Sequence, residues 1–153
     1  DRRYINARGE TVFEKPAFRA AARHRRCLVV ADGYYEWKAA GGHKVPYFFS
    51  MTDEQPFAIA GLWDSWERER DRIESFAIIT TTANELSAAV HDRMPAIIKP
   101  EDYELWLDNK VADPARLASL ITPYATTSMQ CWTVSNKVGD PKNETPDLIK
   151  SFK

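Results

Sequence analysis

The sequence predicts an α+β fold in which an antiparallel β-sheet is flanked by short peripheral helices, and three observations carry that prediction. Short stretches rich in Val, Ile, Phe, Tyr and Trp recur between Gly, Asp and Asn turn signals, which is the patterning of strands. Other segments open on Asn or Pro and then place apolar residues at helical spacing. At 153 residues, with 44% hydrophobic, 12% aromatic and 28% charged residues, the chain has the make-up of one domain over residues 1–153. It is too apolar to be disordered, collagenous or mucin-like.

Taken in order, Pro16 fits the first turn of a short helix through Ala22. The apolar run Cys27 to Ala31 reads as a buried strand, and Asp32-Gly33 is a turn signal. Tyr34 to Lys38 resumes as strand, Ala39 to Gly42 forms a hairpin-like loop, and Val45 to Met51 is again rich in β-formers, so an antiparallel meander of three successive strands is expected. Phe57 to Trp63 and Ser75 to Thr82 add two strands, separated by the charged stretch Glu67 to Arg72, read as an exposed loop or edge. Asn84 caps a short helix over Glu85 to Val90. Pro100 opens a second with Tyr103, Trp106 and Leu107 on one face, and Asp113-Pro114 opens a third through Ile121. Met129 to Ser135 reads as the last strand, followed by a Pro- and Asn-containing tail docked through Leu148, Ile149 and Phe152.

Charge narrows the function classes. The formal net charge is -1, far from a histone-like coat protein, so any nucleic-acid site is a local patch. Residues 1–26 hold eight Lys/Arg against three Asp/Glu, whereas residues 53–104 hold five against twelve. A basic segment beside a cleft is what phosphate binding uses, although a solvated helix face has the same composition. No apolar run approaches the ~20 residues of a membrane span, and the start Asp1-Arg2-Arg3-Tyr4-Ile5-Asn6 has no secretory h-region. A cytoplasmic setting, nucleoid-associated when on DNA, or a nuclear one is expected. Cys27 and Cys131 lack metal-type spacing and read as free thiols in strands. With three His and scattered carboxylates, neither a metal nor a cofactor is expected, and no phosphate-cradling Gly-rich loop, HExxH or GxSxG motif is present.

Three places could carry chemistry. His91-Asp92-Arg93-Met94-Pro95 sits at a helix-to-strand junction, pairing an imidazole suited to proton transfer with a guanidinium suited to phosphate or carboxylate. In Gly33-Tyr34-Tyr35-Glu36-Trp37, strand alternation puts Tyr34, Glu36 and Lys38 on one face and plants a carboxylate among aromatics, a setting for acid/base work. Asn6-Ala7-Arg8-Gly9-Glu10-Thr11 offers an amide, a guanidinium and a glycine permitting close approach. Each has a bland counterpart: a structural His with Arg93 paired to Asp92, an edge-strand Glu, a plain turn. Five Trp and six Tyr could stack unpaired bases, though most aromatic side chains serve the core.

Together these motifs, with Arg26 to Ala31 ahead of Asp32-Gly33, Ile78-Ile79-Thr80-Thr81 ahead of Asn84, and Val134-Ser135-Asn136-Lys137-Val138, resemble the SOS response-associated peptidase (SRAP) family from near residue 5 to near residue 149. The resemblance implies a barrel-like antiparallel core, of which this chain is the C-terminal larger part. It implies a sensor and shield of abasic sites in single-stranded DNA, and a monomer is expected. In that chemistry a cysteine directly after the initiator Met gives its α-amine to the open sugar aldehyde, and its thiol closes a thiazolidine crosslink. Carried onto this sequence, Asn6, Glu36 and His91 are the catalytic residues. Asn6 positions the N-terminal residue, Glu36 handles protons at amine and imine, and His91 assists sugar ring opening. Arg8 and Arg93 hold flanking phosphates, and Thr80 lines the pocket. The chain starts at Asp1, as a fragment or processed product would, and its two cysteines are internal, so by itself it is expected not to crosslink. Three other readings stand beside this one: a thiol peptidase or autopeptidase, a non-covalent single-stranded DNA-binding module, and a purely structural or interaction domain.

Overall fold

A computed structural model describes residues 4–68 and 71–152. In chain order its elements are β1 (Asn6–Arg8), α1 (Arg19–His24), β2 (Arg26–Ala31), β3 (Tyr34–Ala40), β4 (His43–Met51), β5 (Phe57–Arg68), β6 (Asp71–Thr82), α2 (Glu85–Ala88), β7 (Arg93–Pro95), β8 (Ile97–Ile98), α3 (Tyr103–Leu107), α4 (Pro114–Ala118) and β9 (Met129–Thr133). Short 3-10 turns fill several connections, as at Gly9–Thr11 and Pro100–Asp102. The α+β class is as expected. Among the described residues no helix is long and apolar enough to cross a membrane.

The chain divides into two compact units. The first comprises Asp1–Val30, Ala58–Thr82 and Met94–Tyr124, and the second Ala31–Phe57, Ala83–Arg93 and Ala125–Lys153. The first is built on a sheet ordered β1-β6-β5-β2, with β7 added on β6 and β8 on β5. Its inner face carries Ala7, Ala60, Leu62 and Ile79, which pack with Val12, Trp106, Leu117 and Ile121 into one buried cluster. Fully burying a side chain the size of Leu117 is worth about 2 kcal/mol, so these short helices are held by their apolar sides rather than by their own propensity. Asp113 caps α4 by accepting from the Ala115 amide at 3.0 Å, and Pro114 occupies the first turn, as its fixed φ favours.

Buried Arg26 anchors β2 in this unit. Its guanidinium donates to the carbonyls of Ala22, Arg23, Trp106, Asp108 and Val111 and lies 5.7 Å from the Trp106 ring centroid. The Trp106 indole in turn donates to the Cys27 carbonyl at 2.9 Å. This corrects the expected meander: β2 joins β5, while β3 and β4 find their third strand in β9. Local alternation cannot foresee it, because the anchoring carbonyls of α3 and its loop lie about eighty residues downstream. Nor is β2 fully buried, since Val30 is 72% exposed.

Three further differences have physical reasons. The charged stretch 67–72, expected as an exposed loop or edge, holds exposed strand at both ends, for β5 and β6 stay paired through Glu67↔Arg72 and Arg68↔Asp71, residues 69 and 70 lying outside the described residues. Paired charges keep that end of the strands soluble, Arg72 lying 2.6 Å from Glu74 on its own strand and 3.7 Å from Glu67 across on β5. One pairing is parallel rather than antiparallel, β1 lying on β6 with Asn6↔Ile78, Ala7↔Ile79 and Arg8↔Thr80. A parallel pair needs a long crossover, which the chain between β1 and β6 provides. Leu107, at the end of α3, is 44% exposed while Trp106 is buried, because five helical residues turn only one of them fully inward.

The second unit holds the antiparallel sheet β3-β4-β9. Gly41 and Gly42 turn β3 into β4 with φ of +54° and +89°, both in the left-handed region that a two-residue hairpin requires. Gly33 precedes β3 where a Cβ would lie 2.2 Å from Phe48 Cζ and 2.5 Å from the Phe49 carbonyl oxygen, so only glycine fits. Tyr34 stacks on Phe49 at 4.9 Å, and on the opposite face Phe48 bridges Tyr35 and Trp132 at 5.2 and 5.4 Å. The tail docks through its backbone more than its side chains. The Trp132 indole donates to the Ile149 carbonyl at 2.7 Å, and Thr133 exchanges two bonds with Phe152 at 2.9 Å, whereas the side chains of Ile149 and Phe152 are exposed.

Candidate active site

The first unit places Asn6, Arg8 and Thr80 on adjacent strands. Strand alternation buries Ala7 and turns Asn6 and Arg8 outward, and parallel register sets Arg8 beside Thr80. The Thr80 hydroxyl donates to the Ala7 carbonyl at 3.5 Å. β1 ends at Arg8, and the next residue is glycine because a Cβ at Gly9 would lie 2.4 Å from Ile121 Cγ2 and 3.3 Å from the Thr80 carbonyl oxygen. The close approach that glycine promises in Asn6-Ala7-Arg8-Gly9 is therefore made to β6 and α4's following residues. The outward group is an amide, a guanidinium and a hydroxyl, which together suit a phosphodiester and a polar nucleophile.

The second unit holds Glu36, His91 and Arg93. Glu36 is half-buried on β3 on the same face as Tyr34, opposite Tyr47 of β4, as alternation predicts. Its Oε1 accepts the Trp37 amide at 3.1 Å, leaving Oε2 available to a ligand. Tyr34 donates or accepts a 3.3 Å bond with the Ser87 hydroxyl of α2. Burial pushes the Tyr34 phenol up to about 12, the Ser87 bond opposing and the charges of Glu36 and Cys131 adding to the rise.

His91 follows α2, and its exposed ring is oriented by the backbone. Its Nδ1 accepts the Arg93 amide at 3.0 Å. Nδ1 also lies 3.2 Å from Asp92 Oδ1, but an Nδ1 already accepting an N–H has no proton to offer a carboxylate. The amide bond therefore sets the neutral ring's tautomer, with hydrogen on Nε2, and Asp92 becomes a partner only of the doubly protonated ring. Arg93 is half-buried, one residue beyond the ring's carboxylate neighbour. The Arg93 amide, which sets the tautomer, is a feature the motif alone did not disclose. Ser87 is likewise an addition, and the Asn84-x-x-Ser87 spacing of a helix cap is the signal that leads to it.

Burial raises the thiols of Cys27 and Cys131, both free and half-buried, above their ordinary value. That makes each a poorer nucleophile. Two grooves lie in the first unit. One, of about 520 Å³, is lined by Cys27, Val29, Trp63, Glu74 and Phe76 among others. The second, of about 610 Å³, is lined by Glu10, Phe13, Glu14, Arg23 and α4 residues. Neither is lined by any of the six side chains singled out from sequence. Among the described residues no three metal-ligating side chains come together.

Residues 1–141 match the family described as SOS response associated peptidase (SRAP). The chain belongs to the SRAP family. As an SRAP chain it is 42% identical over 149 residues to the abasic site processing protein YoqW of Bacillus subtilis, covering 96% of this chain and 66% of that protein. It is 30% identical over 166 residues to the abasic site processing protein HMCES of Gallus gallus, covering 94% of this chain and 49% of that one. A crystal structure of a protein from Bacteroides thetaiotaomicron superposes with a TM-score of 0.88 at 36% identity, over 97% of this chain and 66% of that one. This SRAP chain thus spans just under two thirds of the length of YoqW.

Proposed function

We propose that this chain carries the proton-handling and phosphate-holding residues of an abasic-site processing centre acting on single-stranded DNA. The observation that supports it best is the orientation of His91, whose Nδ1 is held by the Arg93 amide so that Nε2–H points away from that bond as a hydrogen-bond donor. An abasic sugar is mostly a ring-closed hemiacetal. His91 Nε2–H donates a hydrogen bond to the ring oxygen as the C1′–O4′ bond breaks, and the Glu36 carboxylate takes the C1′ hydroxyl proton and returns it to O4′, leaving an aldehyde at C1′ and a hydroxyl at C4′. The α-amine of an N-terminal cysteine adds to that aldehyde and expels water as the imine forms. Its thiol then adds to the imine carbon and its proton passes to nitrogen, which closes a thiazolidine. One aldehyde and one cysteine become one ring and one water.

In this reading Asn6 orients the amine, Arg8 and Arg93 hold phosphates flanking the lesion, and Thr80 lines the pocket. Cys27 and Cys131 take no part, because neither carries an α-amine and burial raises both thiols. Single-stranded substrate follows from the chemistry, since a duplex hides C1′ and unstacking costs a few kcal/mol.

The test uses a family-length protein that contains these residues behind an N-terminal cysteine, incubated with abasic single-stranded DNA and resolved on a denaturing gel. Glu36→Gln and His91→Ala should each slow the heat-stable shifted band by about 10²-fold while leaving binding to intact single strands unchanged. Arg8→Ala should instead weaken binding and lower its salt slope by roughly 0.7. Equal loss of binding in all three variants would sink the assignment of roles.

A further inference from the structure

We propose that Asn84 is a positioning residue for His91, holding the helix whose far end aims the imidazole; this rests on the catalytic reading of His91 just given. The helix α2 has only the four residues Glu85–Ala88, far below the ~12–15 at which an isolated helix becomes even marginally stable. Something outside it must hold it, and the structure shows what. Asn84, 8% exposed, accepts the Ser87 amide through its side-chain oxygen at 2.9 Å. Its side-chain nitrogen donates to the Met129 sulfur at 3.4 Å, pinning the cap to β9. Its own carbonyl accepts the Ala88 amide at 2.8 Å.

From there the connection to His91 is short and wholly hydrogen-bonded. The Ser87 carbonyl accepts the amides of both Val90 and His91 at 2.9 Å, and the amide of Ala83, beside Asn84, donates to the Asp92 carbonyl at 3.0 Å. These bonds close a loop from residue 83 to residue 92 in which His91 is held by the residue that Asn84 caps. The Tyr34 hydroxyl reaches Ser87 as well, tying the same turn to the strand that carries Glu36. Loss of the Asn84 side chain frees the Ser87 amide and removes the peg on β9. The turn that presents the His91 backbone then loosens, and with it the Arg93 amide bond to Nδ1 that sets the tautomer.

The experiment reads the ring directly, on the 153-residue chain and without catalysis, by long-range proton–nitrogen correlation of the imidazole. In the parent chain His91 should show one predominant tautomer, with hydrogen on Nε2. Asn84→Ala should shift its ring nitrogens toward a mixture of both tautomers, and Asn84→Asp and Asn84→Ser, which keep an oxygen that can cap Ser87, should restore most of the parent pattern. Unchanged His91 signals in a folded Asn84→Ala chain would overturn the proposal, as would failure of both conservative variants to rescue. In the family-length protein, Asn84→Ala should slow crosslinking about tenfold with unchanged DNA affinity, and should add nothing to His91→Ala, since both act through one group. If His91→Ala itself leaves crosslinking unaffected, the catalytic reading falls. The tautomer measurement still decides whether Asn84 positions the ring.

Discussion

The two compact units hold the side chains proposed for the site by different means. In the six-stranded sheet, Asn6, Arg8 and Thr80 sit on strands whose register with one another settles which way each points. In the three-stranded unit only Glu36 is held like that, and His91 and Arg93 belong to the segment between α2 and the start of β7. A strand position inherits its direction from a period of two and from its neighbours' hydrogen bonds. A loop position has no such period, so the direction of His91 depends on specific side-chain and amide bonds, those of Asn84, Ser87 and Arg93. Substitutions near a strand-borne group should therefore act mainly through stability, whereas those near a loop-borne group should act on geometry.

The largest effect should come from breaking the first unit at its buried cation. Arg26→Leu leaves five carbonyls without the donors they face, and at roughly 1–3 kcal/mol for each that water cannot reach the loss should total about 4 kcal/mol. Urea unfolding measures it. Hydrogen exchange should show amides of α1 and β2 losing far more protection than those of β3 and β4. Equal loss in both sheets would mean that the units do not unfold separately.

A smaller effect should mark the second unit at alkaline pH. Burial raises the Tyr34 phenol from 10.0 to about 12. A group whose folded value is raised contributes stability that is fully present below its unfolded value and is lost as pH climbs to the folded one. The window is therefore pH 10 to 12, and the loss across it is about 3 kcal/mol. Tyr34→Phe should remove this dependence while lowering stability at pH 7 by about 1 kcal/mol, the worth of one hydrogen bond to Ser87. Matching alkaline transitions in the two proteins would show that Tyr34 is not buried as described.

The smallest effect belongs to the hairpin tip of the first unit. Arg72 meets Glu67 and Glu74 with all three side chains at least 60% exposed, so Arg72→Ala should cost no more than about 0.5 kcal/mol. Thermal unfolding at low and high salt should barely separate it from the parent chain. A larger cost would give the tip a role in holding β5 on β6 that its exposure does not suggest.

Much of the molecule follows from sequence alone, and the parts that do are those governed by local chemistry. Alternation in Tyr34 to Lys38 sets the face of Glu36, Asn84 and Asp113 announce their helices, Gly41-Gly42 announces a hairpin, and the ordered motifs announce the SRAP family. Each depends on residues within a few positions of one another, where φ/ψ preferences, capping and side-chain period act directly. Tertiary structure alone decided the rest. It drew β2 away from β3 toward the carbonyls that bind Arg26, laid β1 parallel on β6, and carried β5 and β6 into a stretch that composition suggested was exposed loop or edge. It also turned the His91 ring by an amide two residues on. Those outcomes rest on partners far apart in the chain or on the angle of a single hydrogen bond, and no local period encodes either.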